Sequence, residues 1–240
     1  MLKIIIPMAG PSDLFLNAGY TYPKPLIEVN GLPMIQLVIE KLGSIQQTCE
    51  FIFIIRDEDA VKYHLDNTLK LLAPKCDVIK LKKNTKGGLC SVLMAIDHIN
   101  PDDSLVILNG DQVIDEDFNS FLQFWNSEAV DAGVVTFKSV HPRWSYARIE
   151  DGLVMQTAEK NPISNHAIAG YYYFANAGAF FGCAFQTIKN DVKLDGNYYT
   201  SPVINEYILQ NKKVLNYRIE ASQYHSFYSP QMLKEYEKHS

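Results

Sequence analysis

The sequence predicts an α/β fold: one domain built on a mixed, mainly parallel central sheet. Two observations carry that expectation. Apolar runs such as "LKIIIP" and "FIFII" read as strands buried on both faces, and amphipathic stretches at helical spacing alternate with them. In addition, no internal repeat, low-complexity tract or linker-like stretch breaks the 240 residues, so a single continuous domain over 1–240 is expected.

The elements follow in order. A strand at 2–7 precedes some fifteen loop-like residues. A helix over about 33–42, carrying "MIQLVIEKLG", stops at a glycine, and "FIFII" at 51–55 is the next strand. A helix from about Glu58 to Leu72 is closed by Pro74, "DVIKL" is a strand, "GLCSVLMAIDHI" a helix closed by Asn100-Pro101, and "SLVILNGD" a strand. This βαβ rhythm implies right-handed crossovers, with ligands at the carboxyl ends of the strands, where Pro7 to Gly10, Gly87 and Asn109 to Asp111 fall. Past about residue 130 the rhythm changes. "AGVVTF", the hairpin "YARIEDGLVMQTA" turned at Asp151-Gly152, and "AIAGYYYF" follow one another without long helices between them, so the second half is partly antiparallel. Helices from about Ala177 to Ile188 and Ser201 to Gln210, a strand "KVLNYRI" and a helix from Pro230 complete the chain.

Composition narrows the function classes. With 47% hydrophobic and 20% charged residues, the chain falls among soluble globular proteins. No run approaches the roughly 18 to 20 apolar residues of a membrane helix, and the amino-terminal apolar run is too short for a signal peptide, so no membrane insertion and a cytoplasmic location are expected. A net charge of −5 without a basic cluster argues against nucleic acid as a partner. Cys49, Cys76, Cys90 and Cys183 show no CxxC spacing and read as reduced, buried thiols.

Several residues have chemistry to offer. Asp111, in "NGD" after a strand, is placed to hold a hard cation through oxygen, or simply to form a turn. Lys24, between two prolines, is a rigidly mounted ammonium suited to phosphate, or an exposed loop lysine. Gly87 and Gly88 precede a helix, where free N–H groups favour an anion, though such pairs are common. Glu159 and Lys160 stand side by side after a strand and can also be a solvated turn. "YYYF" at 171–174 reads as strand and core sooner than as a stacking platform, and a lone His225 as a structural or surface residue sooner than as a ligand.

In their order and spacing these signals resemble the nucleotidyltransferase family that makes nucleotide-activated sugars. Family members begin with a strand, a Met-Ala-Gly-x-Gly-Ser/Thr-Arg-Phe loop, a Pro-Lys-Pro-Leu segment and G-x-P-M-I at a helix start. Here these are Met8-Ala9-Gly10, Pro23-Lys24-Pro25-Leu26 and "GLPMI". "HPRWSYARIEDG", "EKNPISNHAIAGYYYF" and "NYYTSPVINEYI" look like a bacterial subgroup associated with capsule and surface polysaccharides. The resemblance implies a Rossmann-like, GT-A type domain in which a sugar phosphate or similar phosphate monoester attacks the α-phosphorus of a nucleoside triphosphate and pyrophosphate leaves. By the same resemblance Mg²⁺ is the cofactor, held by Asp111; Lys24 neutralises phosphoryl charge; Ala9, Gly10, Gly87 and Gly88 approach the nucleotide; and Glu159, Lys160, Asn165, Gly170 and Tyr171 line the acceptor side. CTP is the expected triphosphate.

Two departures stand out. Ser12 occupies the place of the loop's second glycine, Asp13 that of the Ser/Thr, and Leu14 that of the arginine, so the guanidinium partner of the pyrophosphate is missing and a negative charge is added. Lys3, Lys86 or Arg143 could supply the missing charge from another loop. Near the carboxyl end, where relatives carry a metal-binding Asp, "YHSFYSP" offers Ser226, with His225 as a substitute ligand. Three readings therefore remain: a divergent nucleotidyltransferase, a GT-A glycosyltransferase using a preformed nucleotide sugar, and a non-catalytic nucleotide-binding homologue.

Overall fold

A computed structural model describes residues 1–43 and 45–239. The strands are β1 (Leu2–Pro7), β2 (Glu28–Val29), β3 (Leu32–Pro33), β4 (Cys49–Arg56), β5 (Cys76–Leu81), β6 (Ser104–Leu108), β7 (Gln112–Ile114), β8 (Ala132–Lys138), β9 (Tyr146–Glu150), β10 (Leu153–Ala158), β11 (His166–Phe174), β12 (Val214–Arg218) and β13 (Tyr224–Ser226). The helices are α1 (Asp13–Leu16), α2 (Met34–Lys41), α3 (Asp57–Tyr63), α4 (Leu65–Leu72), α5 (Gly88–Leu93), α6 (Phe118–Ser127), α7 (Ala177–Lys189), α8 (Val203–Leu209) and α9 (Pro230–His239).

Nine strands form one sheet in the order β5-β4-β1-β6-β11-β8-β12-β10-β9. The four strands β5, β4, β1 and β6 are parallel. Strand β11 runs against both β6 and β8, and β10 against β12 and β9; the other seven strands share a direction. The sheet is thus mixed and mainly parallel, inside one α/β domain.

Period-two alternation explains how the sheet is covered on both sides. Ile4, Ile6, Phe53, Ile55, Val106 and Leu108 face one apolar cluster, which α2, α4, α6 and α9 complete. Ile5, Ile52, Ile54, Leu105 and Ile107 face the other, completed by α5, α7 and α8. Both faces of the central strands are therefore dry, and their carboxyl ends become the place where polar chemistry meets solvent.

The structure corrects several expected boundaries. The single helix expected over 58–72 is two, because His64 adopts φ 54°, in the left-handed region. That turn redirects the chain so that Leu65 and Leu69 reach the core, while Arg56 pairs with buried Asp59 to tie α3 to the end of β4. The helix expected over 88–99 ends at Leu93 and continues only as a 3-10 turn at Ile96–His98. The next-to-last helix begins at Val203, since Ser201 and Pro202 lie in the turn before it. Helix α6 was not expected at all, although Phe118, Phe121, Leu122 and Trp125 repeat at helical spacing and are buried. All four cysteines are free, and burial pushes each thiol up.

Candidate functional site

The site grows out of two chain segments that leave the sheet at the same edge. After β1, the chain runs through Met8 to Pro11 into the short helix α1, whose Phe15 is fully buried. Buried Ser12 accepts a hydrogen bond from the Lys24 backbone N–H at 2.9 Å, closing the loop on itself. Lys24 thereby opens a 3-10 turn at Lys24–Leu26 with its side chain directed at the end of β6. There, Asn109-Gly110-Asp111 turns the chain into β7, and Lys24 Nζ meets Asp111 Oδ2 at 2.6 Å. Both side chains are about one-quarter exposed, and the Tyr228 ring stands 5.6 Å from the ammonium.

This ion pair sits where two cavities meet. The loop-side pocket, about 250 Å³, is bounded by Met8, Gly10, Pro11, Pro25 and the Lys24–Asp111 pair. The second cavity, about 400 Å³ and called the acceptor side after the expectation from the sequence, also contains Asp111 and extends past Gly88, Glu159, Lys160, Gly170 and Tyr172. Pro7, Asn109 and Asp111 line both.

On the acceptor side, Glu159 is fixed rather than loose. Ser145 Oγ donates to Glu159 Oε2 at 2.5 Å and Ser201 Oγ donates to the same oxygen at 2.7 Å, leaving Oε1 for another partner. Lys160 donates to the Tyr199 hydroxyl at 3.1 Å, and this bond holds its ammonium pKa above the ordinary value despite burial. Gly170, at φ +68°, lets β11 pass so close to Asn109 and Gln112 that a Cβ there would collide with both. Gln112 in turn donates to the Ala169 carbonyl and accepts from the Tyr224 hydroxyl at 3.1 Å. Burial, reinforced by the nearby Asp111 charge, pushes the Tyr224 pKa well up.

The expected site residues separate into those the fold brings together and those it does not. Lys24, Asp111, Gly10, Gly88, Glu159, Lys160 and Gly170 line the paired cavities. Ala9 packs beside the second apolar cluster. Gly87, at φ +99°, is required by the backbone of Tyr198, which a Cβ would strike; Leu89 N–H donates to that Tyr198 carbonyl at 3.1 Å. Tyr171 must be reassigned: its ring points to the opposite face of β11 and packs on Phe118 and Phe121, whereas Tyr172 faces the cavity. Asn165 lies in a separate small cleft with Lys138, His166 and Arg218.

His225 is also corrected as a metal ligand. Its Nε2 stands 2.7 Å from Asp115 Oδ2, and its ring meets Tyr236 in a cleft beneath α9, while its neighbours Tyr224 and Ser226 line the Asp111 cavity. Among the described residues no group of three or more His, Cys, Asp and Glu is placed to hold a metal. The protein offers a hard cation one carboxylate, Asp111, next to Asn109. That donor set fits Mg²⁺ when phosphates and water complete the shell.

Of the cations expected to replace the loop arginine, Lys3 is buried and paired with Glu50, Lys86 is exposed outside both cavities, and Arg143 lines the acceptor side. Leu14 itself is half-exposed and lines neither cavity. Sequence reasoning missed Ser145, Ser201 and Tyr199, and it read Ser12 only as a departure from the family loop, not as the acceptor of the Lys24 N–H. No periodicity marks them, because each works through a contact between distant segments.

Comparison with known proteins bears on the family and the fold. A family model described as Nucleotidyl transferase matches residues 18–222. A bifunctional protein GlmU of Methanocaldococcus jannaschii is 27% identical over 181 residues, 72% of this chain and 40% of its own length. A putative mannose-1-phosphate guanyltransferase of Sulfolobus acidocaldarius is 25% identical over 177 residues, 72% of this chain and 48% of its own. The chain therefore spans less than half the length of these curated relatives. Among solved structures, a nucleoside-diphosphate-sugar pyrophosphorylase from Vibrio cholerae superposes with TM-score 0.86 at 24% identity, covering 98% of this chain and 99% of the other. A putative glucose-1-phosphate thymidylyltransferase from Bacillus anthracis gives 0.77 at 19% identity, with 99% and 94% covered. These two establish a shared fold.

Proposed function

We propose a function from one premise, that the chain belongs to the nucleotidyl transferase family: it moves a nucleoside monophosphate from a nucleoside triphosphate to a phosphorylated acceptor and releases pyrophosphate. The observation that carries this reading is the Lys24–Asp111 pair at the seam of two cavities. One cavity is bounded by the loop after β1 and is read as taking the triphosphate; the other has a polar lining and is read as taking the acceptor.

In the reaction an acceptor phosphate oxygen attacks the α-phosphorus while the bond to the pyrophosphate oxygen breaks. Little covalent chemistry falls to the protein, so its work is positioning and charge neutralisation. Lys24, held by its backbone bond to Ser12, exchanges the Asp111 carboxylate for phosphoryl oxygens when the nucleotide arrives. That exchange releases Asp111, which would then hold Mg²⁺; the bound ion would contribute positive charge to the phosphates. Glu159, fixed through one oxygen by Ser145 and Ser201, accepts from acceptor hydroxyls with the other. Lys160 contacts the acceptor phosphate.

The nucleotide is taken to be CTP and the acceptor a sugar phosphate used in surface-polysaccharide synthesis, by the likeness of "HPRWSYARIEDG" and "NYYTSPVINEYI" to capsule-associated proteins. Incubating the protein with Mg²⁺, each of the four nucleoside triphosphates and a panel of phosphorylated sugars, polyols and amino acids should release pyrophosphate with one combination. Silence across that panel would remove the reading.

A second reading has one observation behind it: Lys24 is the only cation lining the loop-side pocket among the described residues. A glycosyltransferase acting on a preformed nucleotide sugar needs no triphosphate clamp. Slow hydrolysis of a nucleotide sugar without triphosphate turnover would favour it, although Asn109-Gly110-Asp111 supplies only one carboxylate of the DxD metal motif.

A further inference from the structure

We propose that Arg143 is an anion-binding residue of the acceptor subsite, forking its two terminal nitrogens onto the oxygens of the acceptor's phosphate. The inference rests on the transferase reading for the word acceptor, but its physical basis is independent of it.

The segment between β8 and β9 that carries Arg143 is anchored to the core. The Tyr146 hydroxyl donates to the His141 carbonyl at 2.6 Å. Trp144 packs edge-on against Phe137 and Tyr224, at 5.7 and 5.4 Å between ring centres. The Arg143 guanidinium lies 5.6 Å from the centre of the Trp144 ring, within cation–π reach, and its planar edge carries five N–H donors.

The hydrogen bonds then define which part of that edge lacks a partner. His141 Nδ1 receives both the Arg143 backbone N–H at 3.2 Å and Nε–H at 3.1 Å. A ring nitrogen that accepts carries no proton, so in the neutral imidazole the proton resides on Nε2. Arg143 Nη2 lies 3.2 Å from that Nε2, donor against donor. Nη1 faces the Met232 sulfur at 3.1 Å, a weak acceptor. Among the described residues neither terminal nitrogen has a protein oxygen as partner and no carboxylate pairs with Arg143, whose side chain is exposed.

Lys160, in the same cavity, likewise donates to a hydroxyl and not to a carboxylate. Glu159, meanwhile, is held by serines rather than by either cation. Beyond the Tyr199 bond, Glu159 and Asp195 still act on Lys160 through space, raising its pKa, but among the described residues neither cation of the cavity makes a direct ion pair with a carboxylate. A planar guanidinium with two free N–H groups matches two oxygens of a phosphate. Because Arg143 lines the acceptor side and not the loop side, it does not replace the arginine absent at position 14.

The test uses inorganic phosphate as the probe. Wild type, Arg143→Ala and Arg143→Lys, each labelled with ¹⁵N-arginine, are titrated by NMR. The Arg143 side-chain resonance of wild type should shift on saturation; Arg143→Ala should bind phosphate about tenfold more weakly, and Arg143→Lys should recover only part of the loss. In turnover, Arg143→Ala should raise the acceptor KM about tenfold, leave the triphosphate KM unchanged and respond to added guanidinium ion. Phosphate binding that is absent in wild type or unaltered in Arg143→Ala overturns the proposal, as does a rise in the triphosphate KM instead. If no substrate pair releases pyrophosphate, the transferase reading fails while the titration still decides Arg143.

Discussion

The two cavities that share Asp111 are furnished unequally. Among the described residues the loop side has a single lining cation, Lys24, and a wall of Met8, Gly10, Pro11 and Pro25. The acceptor side has two cations, a carboxylate fixed by two hydroxyls and several aromatic rings. The difference teaches that one structural framework can carry two cavities of unequal charge on either side of a shared carboxylate. On the loop side, Ser12 and Phe15 now serve the backbone and core, Ser12 by clasping the Lys24 N–H and Phe15 by full burial. The segment is well formed as structure although Lys24 is its one cation at the cavity among the described residues.

The largest expected effect lies at the seam, because both cavities depend on it. Lys24→Ala or Asp111→Asn should each lower kcat by about a hundred- to a thousandfold, the scale of removing one preorganised charge from a developing transition state. Steady-state rates of pyrophosphate release give the number. A loss of less than about fivefold in both variants would mean that the seam is not where reaction occurs.

Next comes a direct attempt to remove the asymmetry. Leu14→Arg places a guanidinium at a half-exposed position on α1, next to the loop. It should raise kcat/KM for the triphosphate by about ten- to a hundredfold, some 1.4–2.8 kcal/mol of added stabilisation, with the acceptor KM unchanged. A change confined to the acceptor KM would contradict the assignment of the two sides.

A smaller effect is expected where the acceptor side is best ordered. Ser201→Ala removes one of the two hydroxyl donors to Glu159 Oε2. Hydrogen bonds to charged groups contribute roughly 1.5 kcal/mol, so the acceptor KM should rise about tenfold while the triphosphate KM stays put. Equal increases in both would show that Glu159 supports the whole site and not one half.

Much of this framework was legible in the sequence because it follows from local pattern. The buried strands β1, β4 and β6, the Asp151-Gly152 hairpin and the positions of Lys24 and Asp111 all announce themselves by apolar runs, turn residues and strand ends. The misses have physical causes. Helix α6 carried a readable stripe from Phe118 to Trp125, yet it is bounded only by an Asp117 cap, whose side chain accepts from the Asn119 N–H, and not by a proline or glycine. Tyr171 and Tyr172 are chemically identical in sequence, and only the register of β11 against β6 decides which one meets the cavity. The serines around Glu159 come from positions 145 and 201, joined only when the sheet closes. His225 resembled a ligand until the pairing of β13 with β7 turned it toward Asp115.

That last contact supplies the smallest test, of whether the wall shared by the acceptor cavity and the cleft beneath α9 is set independently of the loop. Burial raises the Asp115 pKa, but hydrogen bonds from Lys41 and His225 outweigh it and hold the carboxyl below its ordinary value of 3.8. A carboxyl depressed in the folded state stabilises the protein above its unfolded pKa, and that contribution fades as pH falls through the folded value. Asp115→Asn should therefore melt below wild type at pH 6, by a few degrees or less given the exposure of the pair, and the gap should close as the pH drops below about 4. Melting curves from pH 2.5 to 6 measure it, and a gap independent of pH would exclude Asp115 ionisation as its source. Since β13 also carries Tyr224 and Ser226 into the acceptor cavity, a shift in acceptor KM without one in triphosphate KM would place this clasp on the acceptor side of the comparison.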